Sequence, residues 1–135
     1  NTATGVGGGA YLAGTNNFNC QQTLFQYNRG TSGGAIYTTG GSNSTVIECT
    51  FYLNEATAAA GDGGAVYSQN HNWTFNTCTF SDNTAGGDGG ACYEVAGQDF
   101  KHLIIVPLYS IQPARKEEVC GQMHHPLRSH LLDPL

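Results

Sequence analysis

The chain has 135 residues, of which 11% are charged and 19 are glycine, and its formal net charge is −5. It has no run of about eighteen apolar residues, which excludes a membrane-spanning helix. Arg29 is the only basic residue among the first 96, so the cationic surface that nucleic acids and anionic membranes require is missing. Because the chain begins at Asn1 and shows no signal peptide, we expect it to be a fragment or a processed product.

The composition changes near residue 96. Of the 19 glycines, 17 precede this point, and all four prolines follow it. The sequence therefore predicts a repeat domain over 1–96 and a non-repeat tail over 97–135, which is either a cap or a disordered segment. The abrupt change also suggests the hypothesis that the tail arises from a frameshift or an unspliced intron.

The first part of the chain contains two motifs in fixed phase. A Gly-Gly-Ala motif occurs four times, at offsets of 25, 30 and 26 residues. A Phe-x-x-Asn motif follows the first three of these after 17 or 18 residues. The Gly-Gly-Ala segments are Gly8–Leu12, Gly33–Tyr37, Gly63–Tyr67 and Gly89–Tyr93, and the Phe-x-x-Asn motifs begin at Phe25, Phe51 and Phe80. A fixed period of this length indicates a stacked architecture.

Each repeat unit is predicted to be one coil of an all-β solenoid. The runs 45–51 and 73–80 alternate and are rich in β-branched and aromatic residues, which is typical of strands. Gly-Gly-Ala suits a tight corner, because glycine accepts positive φ. A unit of 25 to 30 residues with two or three strands and no helix predicts a right-handed parallel β-helix of about three coils.

In such a solenoid, equivalent residues lie above one another at about the 4.8 Å strand spacing. We therefore predict three ladders, formed by core phenylalanines, by small residues at a corner and by turn amides that satisfy buried polar groups. Their members are Phe25, Phe51 and Phe80; Ala10, Ala35, Ala65 and Ala91; and Asn28, Asn54 and Asn83.

The phased motifs of residues 8–93 resemble the repeats of chlamydial polymorphic outer membrane proteins, and similar repeats occur in other bacterial and protist surface proteins. The resemblance implies an autotransporter-like passenger, a β-helical stalk displayed outside the cell and used for adhesion or antigenic variation. The residue after Gly-Gly-Ala is Ile only at Ile36, and it is Tyr11, Val66 and Cys92 in the other repeats.

Asp62 and Asp88 are the strongest candidates for chemistry, because each precedes a Gly-Gly pair and the two are 26 residues apart. Stacked carboxylates can bind Ca²⁺ or serve as acid and base on a glycosidic bond. Asp is also a favoured turn residue beside Gly. Because the earlier repeats are expected to carry Ser32 and Gly7 at this position, we favour the turn role and predict no metal, cofactor or catalytic residue.

Aromatic residues of the repeats form a sugar-binding strip if they face outward, and otherwise simply pack. They are Trp73, Tyr27, Tyr37, Tyr67 and Tyr93. A polysaccharide lyase also needs a basic proton acceptor, and in the repeats only Arg29 is available.

Cysteines and asparagines add further candidates. Cys49 and Cys78 should stack on adjacent coils, as a disulfide or, as we favour, as a ladder of buried thiols. The segments 43–45 and 72–74 match the acceptor pattern for N-glycosylation. In the tail, residues 102–109 form an apolar run, and Cys120, His124, His125 and His130 match no zinc pattern.

These features favour a non-catalytic, secreted or cell-surface scaffold of adhesin or passenger type. Its expected partners are proteins or glycans of a host or neighbouring cell surface. Two rivals remain, a carbohydrate-active β-helix enzyme (lyase or hydrolase) and a structural wall component.

Overall fold

A computed structural model describes residues 1–14, 17–41, 43–95, 100–101 and 120–122, and the described part of the chain is all-β. The first coil contains β1 (Ala10–Ala13), β2 (Asn19–Gln21), β3 (Leu24–Gln26) and β4 (Arg29–Gly30). The second contains β5 (Ile36–Thr39), β6 (Asn43–Ile47), β7 (Thr50–Tyr52) and β8 (Glu55–Ala56). The third contains β9 (Val66–Gln69), β10 (Asn72–Asn76), β11 (Thr79–Ser81) and β12 (Thr84–Ala85). Three strands follow, namely β13 (Cys92–Val95), β14 (Phe100–Lys101) and β15 (Cys120–Gln122).

Every strand pairs in parallel with the equivalent strand of the next coil. The sheets have the orders β1-β5-β9-β13-β15, β2-β6-β10-β14, β3-β7-β11 and β4-β8-β12. The predicted parallel solenoid of about three coils is therefore confirmed. Each coil has four strands rather than two or three, because the short corner after each Phe-x-x-Asn motif also pairs with its neighbours.

The interior is filled by aromatic and aliphatic residues on the inward side of each strand. Phe51 is stacked on Phe25 and on Phe80, with ring centroids 4.7 Å and 4.6 Å apart. Trp73 and Phe75 fill the neighbouring part of the core and are fully buried. The predicted phenylalanine stack is confirmed, and it links all three coils.

The predicted amide ladder is also present. The Asn54 Oδ1 accepts hydrogen bonds from the backbone N and the Nδ2 of Asn28, both at 3.0 Å. Asn83 Oδ1 accepts the same pair from Asn54 at 2.9 Å. The Nδ2 of Asn54 also donates to the Phe25 carbonyl. The amides of Asn54 and Asn83 thus satisfy backbone groups of the preceding coil, and an apolar residue at either position would leave those groups without partners.

The register of the first coil differs by one residue from the motif alignment. Ala10 pairs with Ile36, not with Ala35, so the offset between these coils is 26 rather than 25. The corner glycine that aligns with Gly33 is therefore Gly7 rather than Gly8. Gly7 and Gly33 both have positive φ, of 66° and 59° respectively. Ala10 consequently lies outside the predicted alanine ladder, which is formed by Ala35, Ala65 and Ala91.

The second glycine of each corner is required by close packing between coils. A Cβ on Gly34 would collide with the carbonyl oxygen of Gly64. A Cβ on Gly64 would collide with the carbonyl oxygen of Gly90. The Gly-Gly pair therefore combines one residue that needs the left-handed conformation with one that needs the absence of a side chain.

Beyond the third coil, two sheets continue with backbone pairing of β13 to β15 and of β10 to β14. The apolar run 102–109 and the residues His124, His125 and His130 lie outside the described residues, as does the side chain of Cys120. The domain boundary at residue 96 stays a prediction.

Candidate functional site

Asp62 and Asp88 lie at the same corner of adjacent coils, as predicted. The Oδ1 of Asp62 accepts a hydrogen bond of 2.7 Å from the backbone N of Asp88. One coil earlier, the Oγ of Ser32 accepts a hydrogen bond of 3.2 Å from the backbone N of Asp62. The side chain at this corner therefore binds the backbone of the next coil. This is a structural use of the carboxylate, and it favours the turn role.

The corner position in the first coil is Val6 rather than Gly7. The strand register places Gly7 opposite Gly33, and the residue before each corner glycine is therefore Val6, Ser32, Asp62 or Asp88. Only the three polar members can make the side-chain contact described above. The sequence alignment was wrong here because Gly7, Gly8 and Gly9 form a triplet in which two registers look equally good.

Four tyrosines form a continuous stack on the outer face of the sheet β1-β5-β9-β13. The ring centroids are 5.7 Å apart for Tyr11 and Tyr37, 4.5 Å for Tyr37 and Tyr67, and 5.7 Å for Tyr67 and Tyr93. The interplanar angle of the central pair is 3°. The structure therefore brings together three of the predicted aromatic residues and adds Tyr11.

Two phenols of this tyrosine stack, those of Tyr67 and Tyr93, are near enough to the corner aspartates to feel their charge. Burial, the neighbouring Tyr37 phenol and the Asp62 carboxylate raise the pKa of Tyr67 to about 12. Burial also raises the pKa of Tyr93, and Asp62 and Asp88 add to the rise because negative charge opposes ionisation of the phenol. These two phenols are consequently neutral hydrogen-bonding groups at physiological pH.

The stacking geometry limits how these rings can bind a sugar. A sugar packs on the face of an aromatic ring, but in this stack the faces of Tyr37 and Tyr67 are covered by their neighbours. Tyr11, which is 55% exposed, ends the stack. Only the edges and the phenol groups of the inner rings remain for contact with a ligand. The phenol groups can form hydrogen bonds with it.

Trp73 and Tyr27 do not join the tyrosine stack. Trp73 is fully buried, with its ring packed on Phe75 at 5.2 Å. Tyr27 is 59% exposed and lies beside Tyr52, with their ring centroids 6.2 Å apart. Of the two alternatives given by the sequence, packing therefore holds for Trp73, whereas Tyr27 is exposed but lies apart from the tyrosine stack.

Sequence reasoning missed a buried polar group next to Trp73. His71 is fully buried, its Nε2 lies 2.6 Å from the Oγ of Ser44, and its Nδ1 lies 2.9 Å from the carbonyl oxygen of Gly40. The signal was present in the spacing, because His71 is two residues before Trp73 and four before Phe75 and so shares their inward direction. With both ring nitrogens in contact with protein atoms, this histidine holds the loop after β5 against β6.

The cysteines of the repeats are free thiols. Cys49 and Cys78 are buried at equivalent positions, and the Cys49 Sγ lies 3.7 Å from the Cys20 Sγ. Burial raises the pKa of Cys49 to about 11 and also raises that of Cys78. The preference for buried thiols over a disulfide is therefore confirmed.

Within the described residues, no three His, Cys, Asp or Glu side chains lie close enough together to hold a metal ion. The same part of the chain contains no helix that is long and apolar enough to cross a membrane.

Comparison with known proteins gives one family. The model of this family, described as a right handed beta helix region, matches residues 1–99. No curated protein matches the chain. No solved structure matches it either.

Proposed function

Because the chain belongs to the family of right-handed β-helix regions, we propose that it is a non-catalytic scaffold module of a secreted or cell-surface protein and acts as an adhesin or passenger. Its partner is a protein or glycan on the surface of a host or neighbouring cell. The phased Gly-Gly-Ala and Phe-x-x-Asn motifs support this proposal, because they resemble the repeats of polymorphic outer membrane proteins.

The observation that carries the proposal is the use of the Asp62 carboxylate. A catalytic pair needs two carboxylates that are directed at a substrate. Here the Asp62 Oδ1 accepts the backbone N–H of Asp88 at 2.7 Å, and the preceding coil uses Ser32 in the same way. A carboxylate that can be replaced by a hydroxyl in this role has a structural function.

The tyrosine stack and the corner aspartates supply the proposed contact surface. They present the neutral phenols of Tyr67 and Tyr93 beside the carboxylates of Asp62 and Asp88 along one side of the solenoid. Such a surface suits a ligand with many hydroxyl or amide groups, and it repels strongly anionic ligands.

Enzymatic activity is tested by incubating the protein with polygalacturonate and with related glycans, with and without Ca²⁺. We expect no turnover. Turnover that is abolished by Asp62→Ala or Asp88→Ala would overturn the proposal in favour of a carbohydrate-active enzyme, provided that Asp82→Asn at an exposed turn leaves it intact; Asn is the control there because Asp82 has a φ of 54°.

Adhesion is tested by measuring attachment of protein-coated beads to cells and to arrays of surface glycans. We expect saturable attachment that the soluble protein inhibits. Tyr37→Phe removes one phenol of the stack and should weaken attachment, whereas Tyr27→Phe, at an exposed tyrosine outside the stack, should not. A protein that binds no cells but is incorporated into a wall or coat would instead be a structural component.

A further inference from the structure

Two N-glycosylation acceptor sequences lie at equivalent positions on adjacent coils. Asn43 opens β6 and Asn72 opens β10, and the two residues are direct partners in the parallel sheet. We propose that Asn43 is an N-glycan acceptor of the folded protein and that Asn72 is not. The inference rests on the proposed secretion of the chain, but it does not depend on adhesion.

The two amides differ in what their polar atoms contact. The Asn72 Nδ2 donates a hydrogen bond of 3.2 Å to the Oδ1 of Asn43. The Asn72 Oδ1 is buried away from solvent. A glycan on Asn72 would therefore be attached to a nitrogen that already contacts the adjacent coil, and the neighbouring oxygen of the same amide faces the protein.

Asn43 presents the opposite arrangement. The residue is exposed, and among the described residues its Nδ2 makes no hydrogen bond, since the contact with Asn72 uses the Oδ1. A glycan is attached to the nitrogen of the amide, so a glycan on Asn43 leaves its contact with Asn72 intact. A glycan on Asn72 would be attached to the nitrogen that makes this contact.

The hydroxyl residues of the two acceptor sequences do not explain the difference. Thr45 and Thr74 are also partners in the sheet, and both are partly exposed. Their positions are equivalent, so the selectivity lies in the amides alone. Partner strands are about 4.8 Å apart, which leaves no room for two glycans side by side.

The reaction needs a diphosphate-linked lipid oligosaccharide as co-substrate. The Asn43 Nδ2 forms a bond to the anomeric carbon of the first sugar and loses a proton. The bond between this carbon and the diphosphate oxygen breaks, and the lipid diphosphate leaves with the electron pair. No oxidation or reduction takes place. The product is a bulky, solubilising group on an exposed asparagine.

The test expresses the full chain behind a cleavable signal in a eukaryotic secretory host. Glycan occupancy is measured in the secreted and the retained protein by mass spectrometry after enzymatic release, which converts glycosylated Asn to Asp. Thr45→Ala and Thr74→Ala form a matched pair, because each destroys one acceptor sequence and leaves both asparagines in place.

We expect the secreted protein to carry one glycan, at Asn43. Thr45→Ala should remove the resulting shift on a gel, and Thr74→Ala should leave it unchanged. Glycosylation at Asn72 in secreted protein as often as at Asn43, or secreted protein without a glycan at Asn43, would overturn the inference. Glycan occupancy and adhesion are measured separately. A failure of the glycosylation inference can therefore be distinguished from a failure of the proposed adhesion function.

A second measurement covers the case in which the chain is not secreted. Asn43→Cys and Asn72→Cys are prepared in the folded, unglycosylated protein and labelled with a bulky hydrophilic maleimide. The thiol at position 43 should react much faster than the thiol at position 72, after subtraction of the labelling of the unsubstituted protein, in which Cys49, Cys78 and Cys92 are buried and Cys20 is partly exposed. Equal labelling rates at the two positions would show that Asn72 is not shielded.

Discussion

Phe51→Ala tests the stacked core directly. The Phe51 side chain is fully buried, and its ring is sandwiched between two others at 4.7 Å and 4.6 Å. Truncation of a buried Phe typically costs about 3 to 5 kcal/mol, depending on how far the cavity can close. Here the backbones of Phe25, Phe51 and Phe80 are held at strand spacing by the sheet, so the cavity stays open. Two stacked ring contacts and an edge-to-face contact with Phe75 are also lost. We therefore expect a loss of about 4 kcal/mol in the free energy of unfolding.

Urea unfolding followed by tryptophan fluorescence and circular dichroism measures this loss. Leu24→Ala is the control, because Leu24 lies on the same sheet but is 58% exposed, and it should cost less than about 1 kcal/mol. Asn70 is also exposed, but its φ of 54° makes Ala a poor substitute there. If Phe51→Ala does not fold, Phe51→Leu should fold and lose about 1 to 2 kcal/mol. Equal losses at Phe51 and Leu24 would refute the stacking argument.

Three further predictions concern buried polar groups and ionisation. Asn54→Ala should lose about 2 to 3 kcal/mol in urea unfolding, because it leaves buried backbone groups without partners, whereas exposed Asn76→Ala should be nearly neutral. The raised pKa of Tyr67, about 12 against 10.0, means that its contribution to stability is complete below pH 10.0 and is lost as the pH rises toward 12. Tyr67→Phe should therefore shift alkaline unfolding to higher pH, and Tyr27→Phe should not. The Cys49 thiol, whose pKa burial raises to about 11, should react with iodoacetamide at about pH 8 only after denaturation; rapid reaction in the native protein would contradict its burial.

The period of the chain could be predicted because each ladder needs one residue type at one position of every coil. Phe51 and Asn54 each have counterparts one coil before and one coil after, and both ladders form as expected. A repeated Phe has a single good solution in a stacked core, since its ring must fill the same space each time. The sequence therefore determined the interior well.

The register of the first coil could not be read from the sequence. Gly7, Gly8 and Gly9 allow two alignments that differ by one residue. Both alignments place a Gly-Gly pair opposite Gly33 and Gly34, so residue type does not decide between them. What decides between them is the backbone, since the corner needs positive φ at Gly7 and pairing of Ala10 with Ile36. The error carried over to the corner position, where it replaced Val6 by Gly7.

The surface was only partly predictable, because an aromatic residue suits both faces of a strand. Tyr67 follows Val66 and Trp73 follows Asn72, and both stand in β-rich runs, yet Tyr67 lies in the outer stack and Trp73 in the core. The direction of each strand follows from the corner before it, which the sequence does not specify. For Asp62, the deciding fact was a single hydrogen bond to the next coil, and no sequence pattern reveals such a contact.

The pairing of every strand with its counterpart one coil away determines how this chain must fold. The residues that meet in the phenylalanine stack are separated by 26 and 29 positions, so the first contact requires a large loop to close before any sheet exists. After two coils have paired, their exposed strand edges offer a template on which the next coil adds with much less loss of conformational entropy. Folding should therefore show one slow initiation step and rapid propagation, and initiation can occur between any two adjacent coils.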